Sequence, residues 1–322
     1  MKEPIGSERD AGDLYPPTEP HESGFLSVSG GYRLAYEICG NPAGRPVVFL
    51  HGGPGAGCWP VHRRLFDPEA YRIILFDQRG AGRSTPAASL EANTTAELVK
   101  DIEMLREHLR VRRWVVCGGS WGSTLALTYA AAHPQACRAL VLRGIWMGRQ
   151  SDLEWWLKAL PMVYPEYWQA FVEHIPQAER HDLLDAYYRR LTHPDPAVHM
   201  PAAVAWVTYE TQCETLLCIE HPEAPADTST LAMARIEAHY MKHAWFGASE
   251  LLDSVPKFRH VPGAIVHGRY DMLCPVDAAV ALAAAWPQAR LHIAPDAGHS
   301  ALEPTTRRLL IAATDRFRSL DD

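Results

Sequence analysis

The chain has 322 residues, 47% of them apolar, with a formal net charge of −7 and no lysine/arginine block. This length and composition suit one large α/β domain carrying an insertion, or two domains, and exclude wholesale disorder. They also argue against nucleic-acid binding, and no apolar stretch approaches the roughly 18 residues that a membrane span needs.

Met1 to Asp13 is charged and has no apolar core, so no secretory signal is expected. Residues 1–20 are polar and proline-rich and read as an arm on the surface. The seven cysteines are odd in number and scattered. Only Cys213 and Cys218 are spaced like a metal or redox pair, and they lack a second pair. Reduced thiols in a cytoplasm are expected, with no metal and no organic cofactor.

Strand and helix signals then alternate. Val47–Leu50 is a short apolar run ending in His51-Gly52-Gly53-Pro54-Gly55. Arg72–Phe76 is a second, ending in Asp77-Gln78-Arg79-Gly80. Thr94, with Glu97 three residues on, opens a helix as a capping box, and Leu98, Ile102, Leu105 and Leu109 follow at helical spacing. Trp114–Cys117 is the next strand, followed by a helix ending at His133-Pro134. Ala139–Leu142, Gly263–His267 and Leu291–Ile293 read as strands. Val276–Trp286 and a stretch through Leu309 and Phe317 read as helices. Such alternation predicts an α/β fold with a mainly parallel sheet covered by helices on both faces. Ligands of such sheets bind beyond the carboxyl ends of the strands.

Residues 147–250 break the pattern. They are rich in Trp, Tyr, Glu and His at helical spacing, with no convincing strand. They are expected to form a helical cap, with 1–146 and 251–322 as the catalytic domain. Between 151 and 250 there are 15 acidic against 6 basic residues, whereas the rest of the chain carries 23 against 25. Most of this excess reads as a solvated surface. A few acids turned inward would attract a cationic substrate.

Gly118-Gly119-Ser120-Trp121-Gly122 follows a strand and precedes a helix. Small residues there permit a sharp turn that lifts the serine hydroxyl clear of the backbone. Ser120 is the candidate nucleophile and needs an adjacent base. His299, after the last strand, is the candidate base. Asp271, after the strand before it, is the candidate partner that would hold the imidazole tautomer. Asp77 and Asp296 compete for that place. Asp77 reads as a structural turn pinned by Arg79, and Asp296 as a loop cap. Two N–H donors must meet the oxyanion. The expected pair is the backbone of Trp121 and that of Gly53, in a Gly52-Gly53 loop where glycine allows close approach to substrate. His51 reads as a supporting residue. The G-K-[ST] ending of a phosphate loop is missing.

These segments resemble the proline iminopeptidases of the α/β-hydrolase superfamily. The resemblance runs through LYPPTEP at 14–20, CGNPAGRPVVFLHGGPGAG at 39–57 and LFDQRGAGRS at 75–84. It continues in NTTAELVKDIEMLREHL at 93–109, GGSWGSTLALTYA at 118–130, LVLRGI at 140–145, HGRYDMLCP at 267–275 and AGHSALEP at 297–304. It spans nearly the whole chain, with 147–250 matching least well. It implies Ser120, Asp271 and His299 as a triad and a substrate site built by the helical cap. It further implies that Glu210, after Trp206-Val207-Thr208-Tyr209, and Glu237, in Ala234-Arg235-Ile236-Glu237-Ala238-His239-Tyr240, hold the substrate's free amino group. Gly52 and Tyr209 are expected to border the same site. The implied substrates are short peptides with a free N-terminal proline. Tyr209 departs from the usual Trp before the first glutamate. Trp146–Gln150 and Trp155–Leu160 also depart, in a region expected to line the pocket for the first side chain. An esterase or amidase for a small metabolite keeps the triad and changes the substrate. A ligand-binding protein on the same fold would need no triad.

Overall fold

The computed structural model describes residues 13–217 and 222–319. Cys218 and most of the amino-terminal arm lie outside them. Eight strands form one sheet in the order β1-β2-β4-β3-β5-β6-β7-β8. They are β1 (Glu22–Ser27), β2 (Arg33–Gly40), β3 (Arg45–Leu50), β4 (Tyr71–Phe76), β5 (Trp114–Ser120), β6 (Cys137–Ile145), β7 (Gly263–Gly268) and β8 (Ala289–Ala294). From β4 to β8 every pairing is parallel. The helices are α1 (Pro60–Arg63), α2 (Thr95–His108), α3 (Trp121–Ala132), α4 (Gln150–Glu154), α5 (Pro165–Glu173), α6 (Leu183–Leu191), α7 (Pro196–Gln212), α8 (Thr228–Lys242), α9 (Leu251–Phe258), α10 (Val276–Ala285) and α11 (Pro304–Phe317).

The expected α/β architecture is present, with one addition. β1 and β2 form an antiparallel hairpin on β4 that the sequence reading passed over. β1 is an edge strand whose residues are largely exposed, so it carries little apolar signal.

Alternation along the central strands feeds two cores. Val48, Leu50, Ile74, Val116, Leu140 and Leu142 point to the face covered by α2, α3 and α10. Val47, Phe49, Ile73, Val115, Cys117 and Val141 point to the face covered by α11, through Leu310, Ala313 and Phe317. Each such Val or Leu contributes about 1.5–3 kcal/mol on burial. Such burial on both sides explains why these strands read as continuous apolar runs.

Thr94 caps α2, its hydroxyl accepting from Glu97 N at 3.4 Å. The Glu97 carboxylate accepts from Ser29 and Lys100 instead of returning to the cap. The described end of the arm is stitched down, with Tyr15 Oη donating to Asp315 at 2.6 Å and Arg64 Nε to Tyr15 O at 2.6 Å. Between β6 and β7 the described residues form helices and turns, with no strand among them. No helix is long and apolar enough to cross a membrane among the described residues.

Candidate active site

The carboxyl ends of the parallel strands bring the candidate residues to one edge. Gly52 and Gly53 follow β3, Ser120 ends β5, Asp271 follows β7 and His299 follows β8. At the β5–α3 turn Ser120 has φ 56° and ψ −127°. A non-glycine residue there stores roughly 1–3 kcal/mol of strain. The turn also demands a bare backbone at Gly122, where a Cβ would come within 2.1 Å of Leu50 O. The G-x-S-x-G spacing thus reflects α3 starting hard against the end of β3.

His299 Nδ1 lies 2.8 Å from Asp271 Oδ2 and 3.0 Å from Oδ1. Asp271 Oδ1 also accepts from the backbone of Leu273 and Cys274. Burial pushes the Asp271 carboxyl up, but His299, His267 and these N–H groups outweigh it and hold it below the usual range. His267 accepts from Ile145 N at 3.1 Å and donates to Cys274 O at 2.8 Å, joining β6 to the Asp271 loop.

The His299 loop is fastened from the helical side. Glu214 O, just after α7, accepts from His299 N and Ser300 N at 2.8 and 3.0 Å. Glu303 accepts from Leu216 N and Gly298 N. The helix carrying Glu210 therefore ends in a segment bonded to the candidate base.

Glu210 and Glu237 come together from α7 and α8, which pack on each other. Asp195 and Asp227 cap these helices through their side chains. Trp206, one turn before Glu210, donates its indole N–H to Glu237 Oε2 at 2.7 Å. Both carboxyls line a small cavity, about 20 Å³, with Ser120, Gly53, Trp146, Trp156, Met241, Trp245, Leu273 and Cys274. Glu237 is buried and Glu210 partly so, its Oε2 fully enclosed. Burial and the adjacent Glu237 raise Glu210 well above the usual carboxyl range. Burial pushes Glu237 up to about 7.

Solved chains alike in shape share about a fifth of the sequence and carry the fold alone. VinJ has a TM-score of 0.63 at 21% identity, covering 94% of this chain and 100% of its own. A putative aryl esterase from Burkholderia cenocepacia has 0.62 at 20%, covering 92% and 98%. The α/β hydrolase fold family matches residues 45–304. The sequence goes further. A proline iminopeptidase of Xylella fastidiosa is 50% identical over 94% of this chain and 99% of its own. One of Arabidopsis thaliana is 49% identical over 95% and 82%, and one of Neisseria meningitidis 44% over 94% and 98%.

The chain belongs to the proline iminopeptidase family.

Two expectations need correction within this family frame. Tyr209 does not border the cavity. Its ring packs on Trp156, Trp168 and Phe171, and lines a groove on the outer side of α5 and α7. Trp156 stands on the cavity instead, while Trp155 turns away to donate to Met272 O at 2.7 Å. Asp77 is pinned by Arg83 at 2.8 Å rather than by Arg79, which pairs with Asp101 at 2.6 Å. Asp296, the other competing acid, is exposed and accepts from Thr305. Gly52 backs the serine, since a Cβ there would lie 3.3 Å from Ser120 Cβ.

Arg143 escaped the sequence reading. From β6 its Nη1 donates to His299 Nε2 at 3.0 Å and to His299 O at 2.9 Å. Accepting at Nε2 leaves the neutral ring its proton on Nδ1, facing Asp271. Ser120 makes no bond to His299 among the described contacts, and shares its cavity with Cys274. An Arg inside a strand gives no sign of such a role, because only the closure of β8 beside β7 brings His299 over it. Trp245 escaped too. It sits in a left-handed run from Ala244 to Gly247 and stacks on Trp121 at 5.6 Å. Asp271, Cys274 and His299 are also the one group of described residues whose ligand-type atoms could gather a metal ion. Two of the three already bond each other.

Proposed function

We propose that this chain is a serine aminopeptidase that releases N-terminal proline from short peptides. One observation carries the reading: two carboxyls and the serine hydroxyl line the same small cavity. An enzyme that acts on a chain end must distinguish it from a chain interior, and the end bears a cation. A carboxyl pair in a dry pocket supplies that discrimination, because a blocked terminus leaves it unpaired. Trp146, Trp156 and Trp245 give the pocket apolar walls suited to a pyrrolidine ring. Residues 147–250 act as a cap that contributes Glu210, Glu237 and two of those walls. The described cysteines are free thiols, which supports a cytoplasmic setting.

In this mechanism Glu210 and Glu237 anchor the imino group and place the first carbonyl at Ser120. His299 Nε2 exchanges its bond from Arg143 for one from the Ser120 hydroxyl and takes its proton as Oγ attacks carbon. Asp271 stabilises the imidazolium that forms. The Gly53 and Trp121 N–H groups receive the oxyanion. His299 protonates the leaving amine, and the prolyl-enzyme remains. Water, deprotonated by His299, then releases proline and restores Ser120. No step calls on a metal or organic cofactor.

The test is hydrolysis of a prolyl-arylamide beside its N-acetylated form and an alanyl-arylamide, with Ser120→Ala as control. Cleavage of the free prolyl substrate, lost in Ser120→Ala, is expected. Equal cleavage of the acetylated form refutes the reading. Activity on neutral esters that survives Glu210→Gln and Glu237→Gln would identify an esterase instead.

A further inference from the structure

The Asp77–Gly80 turn after β4 has no part in that mechanism, yet its Gln78 is 2% exposed and joins two other loops. Its backbone N–H donates to His51 Nε2 at 2.9 Å. Its side-chain Nε2 donates to His51 O at 2.8 Å. Its Oε1 accepts from Trp121 Nε1 at 2.9 Å. Chemistry alone sets the orientation of this amide, because a carbonyl only accepts and an indole N–H only donates.

His51 carries the constraint onward. Burial holds its pKa below the ordinary range, so the ring is neutral at pH 7. Its Nδ1 lies between Gly52 O at 3.0 Å and Gly57 N at 3.2 Å, so the ring braces the Gly52–Gly57 loop against the Gln78 turn. The Gly52 carbonyl and the Gly53 N–H belong to one trans peptide and point opposite ways. Fixing the carbonyl therefore aims the N–H. At the other end of Gln78, the gripped indole belongs to the residue whose backbone N–H is the second donor. That indole is further confined by Trp245 and Tyr240, at centroid distances of 5.6 and 4.8 Å.

We propose that Gln78 is a positioning residue that aims the Gly53 and Trp121 N–H groups at one point. The inference rests on reading Ser120 as an acyl-transfer nucleophile. Oxyanion donors act through preorganisation, so a buried residue that ties both donor loops together governs the rate rather than substrate affinity. The position requires a donor and an acceptor on one side chain. Glutamate would set an oxygen against His51 O. Methionine would fill the space and make neither bond.

The experiment compares Gln78→Met, Gln78→Glu and Trp121→Phe in the full chain. It reads kcat and KM on a prolyl-arylamide, the rate of Ser120 labelling by a fluorophosphonate, and the thermal midpoint. In Gln78→Met and Gln78→Glu, kcat and labelling are expected to fall on the order of 100-fold with KM unchanged. Trp121→Phe, which removes the indole N–H together with part of the ring packed on Trp245 and Tyr240, should also lower kcat, and the Gln78→Met, Trp121→Phe double variant should lose less than the two losses combined. Wild-type labelling in folded Gln78→Met overturns the proposal. If Gln78→Met does not fold, Trp121→Phe decides, and full kcat in it overturns the proposal. Labelling needs no prolyl substrate. A chain labelled at Ser120 that leaves prolyl-arylamides intact refutes the substrate reading and leaves the test of Gln78 in force.

Discussion

Glu210 on α7 and Glu237 on α8 line one small cavity, and burial raises both carboxyls above the usual range. Two carboxyls buried side by side do not both ionise readily, so the pair retains a proton. On the proposed reading a substrate cation has to displace it, so recognition depends on pH. KM for a free prolyl substrate is expected to fall as pH rises through about 7, where Glu237 ionises. It should rise again as the substrate amine loses its charge, near about pH 8 for an α-amino group. A pH series of KM checks this, and a flat KM for the charged substrate refutes it.

The same pair ties stability to pH. Between the ordinary glutamate value of 4.5 and about 7, the folded chain keeps a proton on Glu237 that the unfolded chain has released. The folded state then binds more protons, so stability declines as pH rises through that window. Glu237→Gln lacks this slope. Relative to wild type it should gain on the order of 2 kcal/mol between the two ends of the window. Denaturant midpoints at both ends measure it, and parallel curves for the two proteins refute it.

Strain at Ser120 predicts a stability gain on losing the nucleophile. Ser120→Gly relieves the positive φ and should stabilise the chain by about 1 kcal/mol. Ser120→Ala keeps its Cβ and should gain little. Both should have no turnover. Equal denaturant midpoints for the two variants would contradict the assignment of strain to this backbone.

Arg79 and Asp101 form a fully buried pair, with Nε and Nη2 donating to the two carboxylate oxygens at 2.6 and 2.7 Å. Asp101→Asn leaves the guanidinium in place with half its compensation and should destabilise the fold by about 3 kcal/mol. Lys100→Ala, which removes an exposed partner of Glu97, should cost less than about 1 kcal/mol. Urea unfolding of the two variants distinguishes them.

Local pattern carried much of the architecture. β3, β5, β6 and β7 lie in the sheet interior, so their apolar runs are unambiguous. The β1–β2 hairpin was not legible, because β1 is an exposed edge and β2, though buried, breaks its apolar run with Glu37, a charge that Arg63 and Arg83 make tolerable. The resemblance put Tyr209 at the site beside Glu210, but neighbours on a helix face about 100° apart, and here only Glu210 lines the cavity.

The sequence by itself determined the alternation of strands and helices, the small-residue turn around Ser120, and the order in which serine, aspartate and histidine follow their strands. Those are properties of short segments, set by backbone sterics and side-chain burial. Only the tertiary structure decided that Trp156 rather than Tyr209 lines the cavity with Ser120, and that Arg143 holds His299. It also decided that Gln78 bridges His51 and Trp121. Each is a contact between elements distant in sequence, and its geometry exists only once the sheet has ordered its strands and the helices have packed over their ends.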